Sequence, residues 1–360
     1  MCGTIPSVSL PERLGRLQRV DRIGVGGFAT VWLYHDDELD SDVAVKALAD
    51  NWAQRFDIRE RFLEEARILR RADSDHVVRV YDIGEVDGTP YFVMSYADRG
   101  SLGGLLESGK PIDVAHAVDL VEQAGVGLSV LHRQGVIHRD IKPANLLLRS
   151  TDDDGVRVLV ADLGVAKAML HASGLTQVVG TPAYMAPEQA TGEGIDVRAD
   201  VHALGAVAYQ MLTGRLIRRG GIASLMEAQL PEAPSTVSTL PRSMDAVLLR
   251  AIHPSREERW PDVGSFTRAL RASLDSQDPA PAPMVPRRLT ALSEPTQAAT
   301  RAPAPRRAPA PVLSRAEGAA TAQATPVPSE TGSRWRLVLL CLLVLAATFA
   351  ASYLVTAQLR

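Results

Sequence analysis

Val136-Ile137-His138-Arg139-Asp140-Ile141-Lys142-Pro143-Ala144-Asn145 packs a carboxylate, two cations and an amide into one short loop between apolar segments. Asp140 can accept a proton. Lys142, two residues on, can offset phosphate charge, and Asn145, five on, can offer an oxygen to a divalent cation. Phosphoryl transfer needs these parts, because its transition state is stabilised by positioning and opposite charge. A plain polar surface loop is the other reading, and the order H-R-D-x-K-x-x-N argues against it.

Upstream, Leu17 to Ile23 alternates as a strand does, and Gly24-Val25-Gly26-Gly27-Phe28-Ala29-Thr30-Val31 leads into a second apolar strand, Val31 to Tyr34. Glycines let a backbone approach phosphates and aim N–H groups at them. Read alone, the run fits a hairpin turn equally well. Val43-Ala44-Val45-Lys46 then ends a third strand in a lysine, a residue this arginine-rich chain uses only at positions 46, 110, 142 and 167. On its own that lysine also fits a solvated strand edge. An amphipathic stretch, Ile58 to Ala72, carries Glu64 and Glu65 beside Phe62, Ala66 and Leu69. Leu69 lies one turn beyond Glu65, so Glu65 is the inward candidate to pair with Lys46. Val77 to Tyr81 and Tyr91 to Met94 read as strands, and Ser95-Tyr96-Ala97-Asp98-Arg99-Gly100 as a hinge. From local sequence Met94 is as much a core methionine as a pocket residue.

The glycine loop, the strand lysine, the helix glutamate, the hinge and the His-Arg-Asp loop stand in the order of the protein kinase superfamily. The chain resembles a bacterial, eukaryotic-like serine/threonine protein kinase from about Leu14 to Leu274. The resemblance implies an α+β, bilobal fold, with a β-rich N-lobe at about 14–95 and a helical C-lobe at about 99–274. It implies ATP and Mg2+ (or Mn2+) as cofactors and Ser/Thr-bearing proteins as substrates; Lys142 favours Ser/Thr over Tyr. Asp140, Lys142, Lys46 and Glu65 are the implied catalytic set. ATP would be held by Ile23, the loop Gly24, Val25, Gly26, Gly27, Phe28, Ala29, Thr30 and Val31, then Ala44, Lys46, Met94, Ser95 and Ala97. Asn145 and Asp162 are the implied metal ligands. Two positions depart from the family pattern: Ala29 replaces a third glycine, and Leu163 replaces the phenylalanine after Asp162.

Asp162 to Glu188 is the implied activation segment. Thr176, rather than Ser173, is its autophosphorylation candidate, and Arg139 is the cation that would pair with a phosphothreonine there. Thr181 would help form the substrate floor, Glu188 would pair with Arg259, and Asp200 would tether the catalytic loop. Arg215 to Pro241 departs from the family spacing and yields no reading of substrate docking.

Beyond about Leu274 the sequence turns to Pro, Ala, Thr and Arg, too poor in apolar bulk to fold. As a coil, 275–333 would span about 40 Å. Leu337 to Thr356 is uncharged, mostly apolar and long enough to cross a bilayer as a helix of about 30 Å. Arg334 and Arg336 precede it, which puts the kinase on the cytoplasmic side of the cell membrane. The expected organisation is therefore an N-terminal tail (1–13), a kinase domain (14–274), a disordered linker (275–336), a single transmembrane helix (337–356) and an outer tail (357–360). A net charge of -3 gives no reason to expect nucleic-acid binding, and Cys2 and Cys341, at opposite ends, no disulfide framework. A homodimer would serve autophosphorylation in trans. Two competing readings remain: a membrane-anchored pseudokinase scaffold, against which the intact Lys46, Asp140, Asn145 and Asp162 argue, and a small-molecule phosphotransferase.

Overall fold

In the computed structural model, residues 10–164, 182–192, 194–225 and 229–275 are described. Ser173, Thr176, Thr181 and the expected linker and membrane helix lie outside them. The N-terminal part contributes β1 (Arg13–Leu14), β2 (Leu17–Val25), β3 (Ala29–Asp36), β4 (Ser41–Leu48), α1 (Asp50–Ala53), α2 (Phe56–Arg71), β5 (Val80–Val86) and β6 (Thr89–Ser95). The strands form one antiparallel sheet in the order β1-β2-β3-β4-β6-β5.

Strand β4 shows why this sheet positions chemistry. It lies between β3 and β6, so it has no open edge, and Val43 to Leu48 are all buried. Successive side chains on a strand face opposite ways. Val43, Val45 and Ala47 pack into a small cluster with Tyr34 and Val93, whereas Ala44 and Leu48 join the main core with Phe62 and Ala66 of α2. Lys46 shares the parity of Ala44 and Leu48, so it faces α2 rather than solvent. On α2 the residues Ile58, Phe62, Glu65, Ala66 and Leu69 are buried at helical spacing, which puts Glu65 on the inner stripe. Glu64 instead lies near Arg67 (3.4 Å) and Arg71 (3.3 Å) on the solvent side.

The apolar run at Val77 behaves differently from its expected role as a regular strand. Val77 bridges Val160, and the Val78 amide donates to the Val160 carbonyl (3.0 Å), so these residues tie the two lobes together. The regular strand β5 begins only at Val80.

The C-terminal part contains α3 (Leu102–Glu107), α4 (Val114–Arg133), the hairpin β7 (Leu146–Ser150) and β8 (Val156–Val160), α5 (Pro187–Thr191), α6 (Arg198–Thr213), α7 (Pro234–Val237), α8 (Ser243–Ala251) and α9 (Val263–Asp275). Asp113 starts α4 by accepting from the Ala115 and His116 amides (3.0 and 3.2 Å). Helix α6 starts two residues before Asp200 and is buried from Ala199 to Tyr209, which makes it the axis of this lobe.

Arg259 braces that axis. Its side chain is fully buried, and its guanidinium meets Glu188 through two bonds of 2.6 and 2.8 Å. The remaining N–H groups donate to the carbonyls of His253 (2.7 Å), Arg198 (3.0 Å) and Pro254 (3.0 Å). All five donors therefore have acceptors, the condition under which a buried cation is tolerated.

Two buried histidines set an acid limit on stability. Burial holds His202 well below its ordinary 6.5, with the charges of Arg259 and Arg218 adding to it. Burial also lowers His138, against the opposing pull of Asp200 and Asp140. In both cases the unfolded chain binds protons that the native one does not, so stability is complete above pH 6.5 and declines as pH falls below it. His35, raised by its hydrogen bond to Asp42, acts in the opposite sense but is exposed. Urea midpoints measured from pH 7.5 down to 5 should fall, and His202→Gln should flatten the decline; a midpoint independent of pH would contradict this assignment.

Candidate active site

The loop Val136 to Asn145 is shaped from below by Asp200, a fully buried carboxylate near the start of α6. One oxygen accepts from His132 Nε2 (2.8 Å) and the His138 amide (2.8 Å), the other from the Arg139 amide (2.9 Å). Burial alone would raise the Asp200 pKa, but the hydrogen bond and charge of His132 and the His138 amide outweigh it and lower the value. The carboxylate is thus ionised where it grips two adjacent backbone amides. Arg139 sits at φ +65°, a left-handed conformation that costs a non-glycine residue about 1–3 kcal/mol. The Asp200 bonds hold it there, assisted by Gln189, whose side-chain N–H donates to the Arg139 carbonyl (2.8 Å).

His138 fixes the next step of the loop. Its Nε2–H donates to the Ala161 carbonyl (2.9 Å), which leaves Nδ1 unprotonated to accept from the Asp140 amide (3.3 Å). Asp140 then meets two side chains through Oδ2: Lys142 Nζ at 3.2 Å and Asn145 Nδ2 at 2.9 Å. Asn145 Nδ2 also donates to the Asp140 carbonyl (2.8 Å). Both amide protons are engaged, so Oδ1 is the atom Asn145 can offer a cation.

Asp162 approaches from the far side, also left-handed at φ +58°. The close passage of this turn explains the following glycine. A Cβ on Gly164 would lie 3.0 Å from the His138 carbonyl oxygen and 3.2 Å from Asp140 Cβ, and the Gly164 amide donates to that same carbonyl (3.0 Å). Across the cleft, Lys46 Nζ bridges Glu65 Oε1 (2.8 Å) and Asp162 Oδ1 (2.7 Å). Burial would lower the Lys46 pKa, but the Asp162 and Glu65 carboxylates more than compensate and raise it. Lys46 is therefore a cation held at the junction of the lobes.

These groups line one cavity of about 440 Å³, whose walls include Gly24 to Ala29, Val31, Lys46, Glu65, Asp140, Lys142, Asn145 and Asp162. Its chemistry fits a polyphosphate with a divalent ion: glycine-loop amides and two lysines for the anion, Asn145 Oδ1 and Asp162 for the metal. Among the described residues no group of three His, Cys, Asp or Glu is arranged to hold a metal. Magnesium commonly completes its shell with phosphate oxygens and water, which suits so sparse a donor set.

Other expected site residues stand apart from this cavity. Ile23, Thr30, Ala44, Met94, Ser95 and Ala97 do not line it. Met94 is buried in the main core, paired across the sheet with Ala44, and the Ser95 amide donates to the Arg79 carbonyl (2.9 Å). Arg139 is exposed and its guanidinium forms no ion pair among the described residues.

The structure adds residues that the sequence reading passed over. Asp98 ties the hinge to β7 by accepting from the Ser150 amide (2.8 Å) and hydroxyl (2.5 Å). Arg218, inside the stretch without familiar spacing, donates to the Met185 carbonyl (2.9 Å) and so supports the segment after Pro182. Gln189 adjoins the recognised Glu188 and was within reach of a sequence argument. Arg218 was not, since its contact depends on how far the chain returns.

Comparison with known proteins agrees with this geometry. The protein kinase domain family matches residues 17–260, more than half of the chain. Serine/threonine-protein kinase Pkn1 of Myxococcus xanthus is 34% identical over 270 residues, covering 73% of this chain and 39% of Pkn1. Serine/threonine-protein kinases PknA of Corynebacterium glutamicum is 36% identical over 291 residues, covering 76% of this chain and 60% of PknA. The chain thus spans about two fifths of the length of the one relative and three fifths of the other. The crystal structure of the Mycobacterium tuberculosis PknI kinase domain superposes with a TM-score of 0.60 at 25% identity, covering 74% of this chain and 99% of that one. With a β-rich N-lobe, a helical C-lobe and a family match across both, this chain belongs to the protein kinase domain family.

Proposed function

We propose that the chain is an ATP-dependent serine/threonine protein kinase. The observation that carries the reading is the Lys46 bridge to Glu65 and Asp162, in the same cavity as Asp140, Lys142 and Asn145. A scaffold that had lost catalysis would be under no constraint to keep this set assembled, which favours the enzyme over the pseudokinase reading. The bacterial relatives, named as serine/threonine-protein kinases, support protein rather than small-molecule substrates.

In this reading Asp140 orients the acceptor hydroxyl and takes its proton as the oxygen bonds to the γ-phosphorus and the bond to the β-phosphate oxygen breaks, leaving ADP. Lys46 holds the α- and β-phosphates, Lys142 offsets charge at the transferred group, and the Gly24 to Val31 loop covers the nucleotide. Ile23, Ala44, Met94, Ser95 and Ala97, which lie outside the lining of that cavity, would serve the adenine end beside it. A divalent ion such as Mg2+, when bound, would supply positive charge to the phosphate oxygens; Asn145 Oδ1 and the Asp162 carboxylate are the residues that would hold it. Thr176 is the activation-segment phosphosite, for which Arg139, exposed and without an ion pair among the described residues, is the docking cation, and a homodimer would permit its modification in trans. Phosphatase-treated protein incubated with labelled ATP should incorporate phosphate, at Thr176 by mass spectrometry. Asp140→Asn should lower transfer to a basic protein substrate by about a hundred- to ten-thousandfold, and near-normal transfer by that variant would remove Asp140 from its role.

The kinase is further proposed to be tethered to the inner face of the cell membrane by 337–356, on the strength of that segment's length, lack of charge and preceding arginines. Helix α4 is also long and apolar enough to cross a bilayer, but half of its most apolar window is buried in the protein core. Protease added to intact cells should leave the kinase domain uncut, and digestion would contradict the topology.

A further inference from the structure

The glycine loop carries a fastening that the family pattern does not predict. Gly26 and Gly27 give the backbone wide freedom, and no heavy atom stands within 4 Å of where a Gly27 Cβ would be. Yet the loop is tied at three points. The Gly26 amide donates to the Ala29 carbonyl (2.8 Å), the Ala49 amide to the Phe28 carbonyl (2.8 Å), and the Trp52 indole N–H to the Gly27 carbonyl (2.8 Å). The Trp52 ring also packs on Phe28, with centroids 5.2 Å apart and planes tilted by 31°. Two of the three ties thus come from the short segment between β4 and α2. Trp52 is itself seated, packed against both the main core and the smaller sheet cluster.

Peptide geometry turns this fastening into a functional statement. A trans peptide is planar, so its C=O and N–H point in opposite directions. Gly27, Phe28 and their neighbours line the cavity, whereas Trp52 does not. With the Gly27 oxygen drawn toward Trp52, the N–H of the same peptide unit, which belongs to Phe28, is turned the other way. That N–H has no acceptor among the described residues.

We propose that Trp52 is a positioning residue: by holding the Gly27 carbonyl it aims the Phe28 amide into the cavity as a donor to a nucleotide phosphate. This rests on the reading of the cavity as a nucleotide site. Trp52 would act on the phosphate end alone, because adenosine lacks the phosphate oxygens that the Phe28 amide would meet.

Calorimetric titration of the full chain with ADP and with adenosine tests this. Trp52→Phe keeps an aromatic ring against Phe28 but lacks the indole N–H. It should weaken ADP binding about 3- to 10-fold, the scale of one hydrogen bond, and leave adenosine binding unchanged. Phe28→Leu, which removes the ring that seats the indole while leaving Trp52 in place, should show the same phosphate-selective loss. In steady-state assays the effect should fall on KM for ATP more than on kcat. Equal binding of ADP by Trp52→Phe and wild type, or a loss shared equally by ADP and adenosine, overturns the proposal while leaving the kinase reading intact. Wild-type protein that binds neither ligand refutes the underlying reading, and the proposal with it.

Discussion

The buried carboxylate of Asp200 is the constraint on which the site depends. The loop that carries Asp140, Lys142 and Asn145 has no regular hydrogen-bond ladder to hold it, and Arg139 lies in a conformation that its side chain disfavours. Asp200 answers both problems by accepting from the His138 and Arg139 amides at once. Because it sits on α6, the most buried helix described, the loop inherits the rigidity of the C-lobe core. Charge-assisted bonds to backbone amides are among the stronger ones available, and a carboxylate buried with two such amides and the His132 ring N–H resists rearrangement.

The opposite wall of the cleft is organised by strand parity. One interior strand sends Val43, Val45 and Ala47 to one side and Ala44, Lys46 and Leu48 to the other, so a cation is delivered into the interface between sheet and helix. Glu65 meets it there from the inner stripe of α2 and Asp162 from the C-lobe. Lys46 thereby reports the relative placement of three separate elements. Displacing α2 or the turn at Asp162 would break one of its two bonds and leave a buried cation with one partner fewer, which is costly.

Much of this was legible in the sequence where local chemistry and pattern coincide. The preference for Glu65 over Glu64 followed from the position of Leu69, and the structure places Glu65 inside and Glu64 among arginines. The expected strand at Val77 shows where such reading fails: an apolar β-branched pair signals burial in an extended form but not its partner, and here the partner is Val160 of the other lobe. Trp52 and Arg218 stayed silent for a related reason. Each acts through one bond to a carbonyl distant in sequence, and no spacing rule encodes that.

The geometry of the loop depends most directly on Asp200. The decisive measurement is the single-turnover rate of phosphate transfer from Mg-ATP by full-length Asp200→Asn, with thermal unfolding followed in parallel. The isosteric amide turns one acceptor into a donor against the His138 and Arg139 amides. The account predicts a variant that still unfolds cooperatively but transfers phosphate on the order of a hundredfold more slowly, the scale expected from misplacing reacting groups by about 1 Å. A folded variant that transfers phosphate at the wild-type rate would contradict it.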